Sequence, residues 1–169
     1  MAKTQDIKRR IRSVQNTRQL TKAMKMVSAA KLRRAQEAVT ASRPYADQMA
    51  DILSSAAGRA SVDLSPLLET RDERRVEVVL LTGDKGLCGS FNGQIVKTAQ
   101  RFLDDLERGV ESSMTLIGKR GLDHFKRRHP NCRRSWTDIF RDVNFPLAQE
   151  IAGDVMERFT GGEVDAVYV

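Results

Sequence analysis

The sequence has few cysteines, few aromatic residues and no long apolar run. Its two cysteines, Cys88 and Cys132, form no CxxC pair, so reduced thiols are expected and a disulfide framework is not. Aromatic residues make up 5% of the 169 residues, which argues against an aromatic-lined binding barrel. No apolar run approaches the roughly 20 residues of a membrane-spanning helix, and the first residues lack the apolar core of a signal peptide. Any membrane association is therefore expected to be peripheral.

Candidate metal ligands and catalytic groups are scarce as well. The two histidines, His124 and His129, stand in one basic stretch without a thiol or carboxylate cluster at ligand spacing. No metal site is predicted there, and both are interpreted as solvated surface residues. Asp104, Asp105 and Glu107 are interpreted as a solvated helix face. Because no catalytic constellation is found, the sequence predicts neither a cofactor nor an enzyme.

Positive charge is concentrated at the N-terminus. Residues 1–43 contain twelve basic residues against two acidic ones, a net charge of +10, whereas the remaining 126 residues carry −3. A local excess of this size predicts an acidic partner surface, whether nucleic acid, anionic lipid or protein carboxylates.

The N-terminal segment also lacks helix breakers. No glycine precedes Gly58, and the only proline before it is Pro44. With Thr4 as the cap and Asp6 in the first turn, this composition predicts one helix from Thr4 to about Ala57, on the order of 80 Å long. The helix is expected to bend near Pro44 and to continue beyond it. The alternative is a helix that turns at Pro44 and folds back on the rest of the chain.

Apolar residues of this segment follow a narrow stripe, which Arg18 and Thr21 interrupt. A stripe of this width with many small residues predicts the seam of a coiled coil, and a single helix cannot bury it alone. The stripe consists of Ile7, Ile11, Val14, Leu20, Met24, Val27, Ala30, Ala35, Ala38, Val39, Ala46, Met49, Leu53 and Ala56.

Beyond the helix, short apolar runs alternate with helical periodicity. This alternation predicts an α/β fold in which the long N-terminal coiled-coil helix is followed by a partial Rossmann-like open sheet with flanking helices. The predicted organisation is a shaft helix at residues 1–57, a connector at residues 58–75 and a partial α/β central domain at residues 76–169. Strands are predicted at residues 76–81, 114–117, 135–140 and 164–169, with helices at residues 91–106, around residues 122–125 and at residues 147–159.

The last predicted strand ends with the chain, and the seam has no partner helix. The chain is therefore expected to be a fragment or a truncated form of a longer subunit, whose missing C-terminal helix returns antiparallel to the first.

The loop at residues 82–90 lies between a predicted strand and a predicted helix, where phosphate-binding loops occur. Its glycines are spaced GxxGxxG and no Gly-Lys-Ser/Thr ends it, so neither the dinucleotide pattern nor the P-loop pattern is met. The glycines are interpreted as allowing a tight turn with positive φ and close packing of the helix on the sheet. Cys88 is a candidate reactive thiol, but no histidine with Asn or Asp supports it as a nucleophile.

Nucleic-acid binding is the main alternative for the basic helix, because Lys and Arg neutralise phosphates without a special spacing. Against it, five cations are interleaved with the apolar stripe, whereas a bZIP protein separates its basic region from its heptads. These cations are Lys22, Lys25, Lys31, Arg33 and Arg34. A membrane-surface helix is less favoured, since the apolar face lacks Trp and Phe.

Four segments resemble one known family. IRSVQNT at residues 11–17, TKAMKMV at residues 21–27 and SRPYA at residues 42–46 closely resemble the N-terminal helix of F-type ATP synthase gamma subunits. TGDKGLCG at residues 82–89 resembles that family's central-domain signature. The resemblance implies a non-catalytic rotor shaft in the F1 sector of a proton-translocating ATP synthase.

The family also implies partners and a location. The N- and C-terminal helices would form a coiled coil inside the ring of alternating alpha and beta subunits, and the α/β domain would lie near the membrane with epsilon and the c-ring. The location implied is peripheral, on the cytoplasmic face of the bacterial inner membrane, with no nucleic acid as partner.

By position in the matching motifs, the resemblance implies two sets of site residues. The residues expected to contact the alpha/beta ring, including acidic lever segments of beta, are Arg9, Arg12, Arg18, Lys22, Met24, Lys25 and Met26. The central-domain signature loop consists of Gly83, Asp84, Lys85, Gly86, Leu87, Cys88 and Gly89.

Overall fold

The computed structural model describes residues 2–57, 65–106, 109–129, 131–141 and 143–169. The chain divides into two compact units, Met1–Ala60 and Ser61–Val169. The first unit contains one helix, α1 (Ala2–Ala57), in which the side chains of residues 3–56 are exposed. None of the helices in the described ranges is both long enough and apolar enough to span a bilayer.

Helix α1 confirms the predicted long helix but corrects its start. Because α1 begins at Ala2, Thr4 is not its cap and Asp6 lies beyond its first turn. Ala2 and Lys3 are good helix formers and allow the helix to extend that far. The helix also continues through Pro44, so the alternative of a reversal at that residue is wrong, while a bend there stays a prediction. Proline removes one intrahelical hydrogen bond, which the 56-residue helix tolerates.

The second unit is an open parallel sheet with flanking helices, which confirms the predicted fold class. Its four strands have the order β3-β2-β1-β4, and each neighbouring pair is parallel. The elements are β1 (Arg75–Leu81), α2 (Phe91–Asp105), β2 (Glu111–Ile117), α3 (Lys119–Phe125), β3 (Cys132–Trp136), α4 (Phe145–Thr160) and β4 (Ala166–Tyr168), with short 3-10 turns at Pro66–Leu68 and Ile139–Arg141.

One face of the sheet is apolar and packs against α2 and α3. Alternate residues of β1 and β2 point to this face, and the buried cluster consists of Val76, Val78, Leu80, Ala99, Met114, Leu116 and Phe125. Met114, Leu116 and Phe125 are fully buried, and each contributes about 1.5–3 kcal/mol by leaving water. This cluster is the core that fixes the strand ends and their loops.

The opposite face is partly polar and is joined to α4. Glu77, the third residue of β1, is completely buried. Its carboxylate accepts hydrogen bonds from Thr115 on β2, Arg133 on β3 and Arg158 on α4. Arg133 also pairs with Asp154 of α4. A buried carboxylate is tolerated only when it is paired and hydrogen-bonded, as it is here.

The predicted position of the third strand is wrong. The strand lies at Cys132–Trp136 rather than at residues 135–140, and it pairs with β2 from Met114 onward. Arg133 and Arg134 fit into this strand because Asp154 and Glu150 of α4 neutralise them. Beyond it, Asp138 adopts a φ of 59°, which ends the extended path.

Further boundaries also differ from prediction. The second strand begins at Glu111 rather than at residue 114, and α3 and α4 begin at Lys119 and Phe145 rather than at residues 122 and 147. The final strand covers only Ala166–Tyr168. Just before it, Asp165 donates its backbone N–H to the Arg75 carbonyl and accepts the backbone N–H and guanidinium of Arg75 through its carboxylate. The first strand begins one residue earlier than predicted, at Arg75. Of the predicted connector, residues 58–64 lie outside the described part of the chain.

The interpretation of the histidines as solvated surface residues is also wrong, since both are half-buried. His129 Nε2 lies 3.1 Å from Ser112 Oγ, and burial lowers the pKa of His129. For His124, burial and then the charge of Arg128 lower the pKa. Both imidazoles are therefore held more strongly in the neutral form than a free histidine.

Candidate partner-binding site

Three of the predicted contact residues share one face of α1. At about 100° per residue, Arg18, Lys22 and Lys25 lie within about 60° of one another around the axis and within about 10 Å along it. They continue the face on which Ile7 and Val14 lie. The α1 geometry therefore brings these three cations together as a short basic ridge.

The other predicted contact residues lie elsewhere around α1. Met24 falls with Leu20 and Val27 on a second apolar face, roughly 140° from the face of the first apolar residues. Arg18 and Thr21, which were predicted to interrupt the stripe, therefore lie where the apolar residues change from one face of α1 to another. Arg12 and Met26 lie between the two faces, whereas Arg9 lies at the angular position of Val27. The seven predicted residues therefore surround the helix rather than form one patch.

The basic ridge is exposed and uncompensated. Within the described part of α1, the ion pair present is Arg33 with Glu37, at 2.8 Å, and no carboxylate pairs with the three ridge cations. Nearby hydroxyls are occupied, because Thr17 and Thr21 donate to backbone carbonyls of their own helix. Exposed cations without a partner are available to an acidic surface.

The second predicted site, the loop at residues 82–90, is organised by Asn92 in the first turn of α2. Asn92 Oδ1 accepts the Gly83 N–H at 2.8 Å. Its Nδ2 donates to the Lys85 carbonyl at 3.3 Å and to Cys88 Sγ at 3.0 Å. One amide side chain thus fixes three points of the loop.

The loop is also tied to the turn between β2 and α3. Asp84 Oδ1 accepts the Lys119 N–H at 2.9 Å, and the Gly83 carbonyl accepts the Arg120 N–H at 3.2 Å. Thr82, which is buried, accepts the Gly121 N–H at 2.8 Å. The loop is therefore a preorganised part of the carboxyl edge of the sheet.

The backbone of this loop differs in part from the interpretation of its glycines. Gly89 has a φ of 61°, as expected, but the second residue with positive φ is Leu87, at 63°, rather than Gly83 or Gly86. The Leu87 side chain is 94% exposed. Leucine in this conformation costs about 1 kcal/mol, so the surrounding hydrogen bonds must hold it.

The loop is not arranged as a phosphate cradle. The Gly83 N–H, which a phosphate-binding loop would offer to its ligand, is already bound by Asn92. Cys88 is exposed and its Sγ accepts a hydrogen bond from the Asn92 amide, and no histidine in the described residues hydrogen-bonds to it. In the described part of the chain, no group of three or more His, Cys, Asp or Glu side chains is placed to hold a metal ion.

Sequence reasoning missed the residues that close the turn after β2. Gly118 has a φ of 96°, and a Cβ there would lie 1.9 Å from the Thr82 carbonyl oxygen. Gly121 lies against Thr82 and Leu80, where a Cβ would be 3.1 Å from the nearest atom. The only sequence signal is a pair of glycines spaced GxxG after a strand, which is weak.

Sequence reasoning also missed the polar cluster around Glu77. Its signal was one acidic residue inside an apolar strand, a pattern that requires a buried partner. Hydrogen bonds from Arg133 are the main reason that the pKa of Asp154 lies below its ordinary value. The pKa of Arg133 is raised, chiefly through the same pair. These charges hold α4 against the sheet.

The comparisons with known proteins agree on one family. A family model described as ATP synthase matches residues 3–169. A protein named ATP synthase gamma chain from Aquifex aeolicus is 43% identical over 166 residues, which are 97% of this chain and 57% of that protein. The ATP synthase gamma chain of Geobacter sp. strain M21 is 46% identical over 171 residues, 100% of this chain and 59% of that protein.

A solved structure agrees with these relatives. A chain in the cryo-EM structure of the Tetrahymena thermophila mitochondrial ATP synthase central stalk and c-ring has a TM-score of 0.63 and 29% identity, covering 80% of this chain and 58% of that one. The present chain thus spans somewhat less than 60% of the length of these proteins. The long exposed helix, the open parallel sheet and this extended sequence identity together show that the chain belongs to the ATP synthase gamma chain family.

Proposed function

We propose that this chain acts as the central rotor shaft of an F-type ATP synthase, with α1 inside a ring of alternating alpha and beta subunits. The observation that carries the proposal is α1 itself, a 56-residue helix with exposed side chains and an unpaired basic ridge. A helix of about 80 Å whose side chains at residues 3–56 are all exposed needs partners along its length. Family membership indicates that those partners are ring subunits.

The mechanism proposed for the shaft is mechanical. An asymmetric rod that turns inside a ring contacts each beta subunit differently, and a contact that differs between two conformations shifts their populations. This chain contributes no catalytic group to that mechanism. Nucleotide binding and hydrolysis belong to the ring, and rotation couples them to proton flow.

The site residues proposed to contact the ring are Arg9, Arg12, Arg18, Lys22, Met24, Lys25 and Met26. Because they surround α1, they suit a shaft that is enclosed by partners rather than a helix that docks on one surface. Exposed ion pairs are individually worth only about 0–1 kcal/mol. The shaft must therefore act through many contacts and through its bulk, with Arg18, Lys22 and Lys25 setting the register against acidic segments of beta.

The second unit is proposed to carry the remaining contacts. Its partners are epsilon and the c-ring, and the signature loop at residues 82–90 is proposed as part of its binding surface. The proposed location is peripheral, on the cytoplasmic face of a bacterial plasma membrane. The seam of α1 is proposed to pair with a C-terminal helix of the gamma subunit.

The proposal is tested by assembling the chain with alpha and beta subunits from a bacterial ATP synthase and measuring co-purification of the chain with the ring. The decisive variant carries Arg18→Glu, Lys22→Glu and Lys25→Glu, which keeps good helix formers but reverses the ridge charge. The matched control carries Arg18→Lys, Lys22→Arg and Lys25→Arg. We expect the wild type and the control to bind the ring and the reversed variant to bind at least about tenfold more weakly.

Two outcomes would contradict the proposal. One is failure of the wild-type chain to bind the ring, and the other is equal binding of the reversed and control variants. Titration with duplex DNA at several salt concentrations tests the alternative of a nucleic-acid-binding protein. Tight binding to DNA that persists at high salt would favour that alternative, since simple phosphate neutralisation weakens steeply with salt.

A further inference from the structure

Uncompensated cations in the second unit concentrate on α3 and the turn after it. Most other arginines there pair with a carboxylate within 4.0 Å, namely Arg71, Arg74, Arg75, Arg133, Arg134 and Arg158. Residues 119–128 contain five basic residues and one acidic residue. None of these five forms an ion pair with any residue that the structure describes.

Three of these cations form one surface, which we call the basic turn: Lys126, Arg127 and Arg128. All three are exposed, and with Asp123 they line an open hollow of about 640 Å³. Arg128 Nη1 donates to the His124 carbonyl at 3.0 Å, which holds the turn at the end of α3. Cations at a helix C-terminus also interact favourably with the helix dipole. These contacts account for Arg128, whereas Lys126 and Arg127 form no ion pair with the residues that the structure describes.

The position of the basic turn in the fold separates it from the signature loop. Helix α3 leaves the carboxyl end of β2 and returns the chain to the start of the parallel strand β3. Its last residues therefore lie at the amino edge of the sheet, whereas residues 82–90 lie at the carboxyl edge. The two edges are available to different partners.

We propose that the basic turn binds the anionic headgroup layer of a phospholipid bilayer. The inference rests on the proposed function, which brings the second unit close to a membrane. Charge complementarity supplies the attraction, because each Lys or Arg near an anionic bilayer strengthens binding by about 1 kcal/mol, or roughly fivefold. The contact is superficial, since none of the described residues 119–129 exposes a large apolar side chain.

The same features argue against two other occupants. A specific protein interface has an apolar centre that is shielded by a polar rim, and the basic turn offers only charge. A nucleic-acid site usually follows the phosphates over several nucleotides and adds aromatic side chains for stacking. The three consecutive cations here cover about one helical turn and include no aromatic residue.

The test is acetylation footprinting of lysines in the full chain, read by mass spectrometry. The chain is compared in buffer, with vesicles of pure phosphatidylcholine and with vesicles of equal parts phosphatidylglycerol and phosphatidylcholine. Lys97 on α2 is the internal control, because it is exposed in the same unit and has no ion pair among the described residues. We expect anionic vesicles to protect Lys126 about fivefold and to leave Lys97 unchanged. The readout is the protection of Lys126 relative to Lys97, because vesicle binding by α1 carries both lysines to the membrane on the same chain.

A pair of variants isolates the charge of the basic turn. Arg127→Gln removes a cation that forms no described ion pair, and Arg101→Gln makes the same change on α2. We expect Arg127→Gln to raise the vesicle concentration that half-protects Lys126 about fivefold, and Arg101→Gln to leave it nearly unchanged. Circular dichroism of each variant checks that the fold is kept.

Several results would overturn the assignment: no protection of Lys126, equal protection by neutral vesicles, or equal effects of the two variants. Protection of Lys126 by duplex DNA at a lower concentration than by anionic vesicles would show that the basic turn is a nucleic-acid site instead. The experiment contains no alpha or beta subunit. A failure here therefore leaves the ring-binding result intact, and a failure of ring binding leaves the footprint intact.

Discussion

Replacing Glu77 by glutamine tests whether the buried polar cluster holds α4 on the sheet. The change keeps the size of the side chain but removes the charge that Arg133 and Arg158 share. The side chains of these two arginines are 28% and 15% exposed, respectively. Glutamine also points an N–H₂ group at one of these donors, so at least one charge-assisted hydrogen bond is lost.

The expected loss in the free energy of unfolding depends on which ion pairs the two arginines keep. Removing one partner of a buried ion pair costs about 3–5 kcal/mol. Arg133 keeps Asp154 and Arg158 keeps Glu163, so neither arginine is left without a carboxylate. We therefore expect the lower end of that range, a loss of about 3 kcal/mol in the free energy of unfolding of the second unit.

Urea unfolding followed by tryptophan fluorescence measures this loss. Trp136 is the only tryptophan of the chain and lies in β3, where its Nε1 is 3.3 Å from Glu150 of α4. Its emission therefore reports on the sheet and α4 rather than on α1. Glu111→Gln is the matched control, because Glu111 is exposed at the start of β2, and it is expected to change stability by less than about 0.5 kcal/mol.

A loss below about 1 kcal/mol for Glu77→Gln would refute the reasoning. It would mean that the cluster contributes no more than an ordinary neutral hydrogen bond. An equal loss for Glu111→Gln would also refute it, since a general effect of carboxylate removal would then explain the result.

Three further perturbations have defined outcomes. Gly118→Ala places a Cβ 1.9 Å from a backbone carbonyl oxygen, so we expect the second unit to lose its folded structure, as measured by tryptophan fluorescence. The control is Gly93→Ala, whose Cβ would meet no neighbouring atom within 4 Å, and it should stabilise α2 by about 0.5–1 kcal/mol. Asn92→Ala removes three hydrogen bonds of the signature loop and should lower the free energy of unfolding of the second unit by about 1–3 kcal/mol, measured by the same urea titration. A loss below about 0.5 kcal/mol would show that the loop is held by other contacts. Asp154 has a lowered pKa in the folded chain, so the stability it contributes is present above its ordinary pKa of 3.8 and is lost as pH falls below it. The stability difference between the wild type and Asp154→Asn, measured by urea titration, should therefore shrink below about pH 4, and a constant difference would contradict the pairing.

The sequence was sufficient for elements that depend on local composition and periodicity. Helix α1 follows from good helix formers without glycine, and α2 follows from apolar residues at helical spacing. For the same reason the common face of Arg18, Lys22 and Lys25 is determined once the helix is known. The change of apolar face along α1 was not predicted, because residues spaced three and four apart shift gradually around the helix axis.

The remaining features depend on contacts between segments that are distant in the chain. β3 was misplaced because Arg133 and Arg134 look like loop residues until α4 supplies Asp154 to neutralise them. The role of Asn92 depends on where the backbone of the loop passes, which no local pattern gives. Burial of Glu77 likewise becomes intelligible only when strands and helix are assembled.

Single-molecule rotation tests the central claim most directly. The ring of alpha and beta subunits is fixed to a surface, and a bead is attached to the exposed Cys88 of the bound chain. If the chain is the rotor shaft, we expect stepwise rotation of the bead in one direction when ATP is added, and its arrest when ATP is removed. A chain that binds the ring firmly while its bead shows only undirected fluctuation in the presence of ATP would contradict the account.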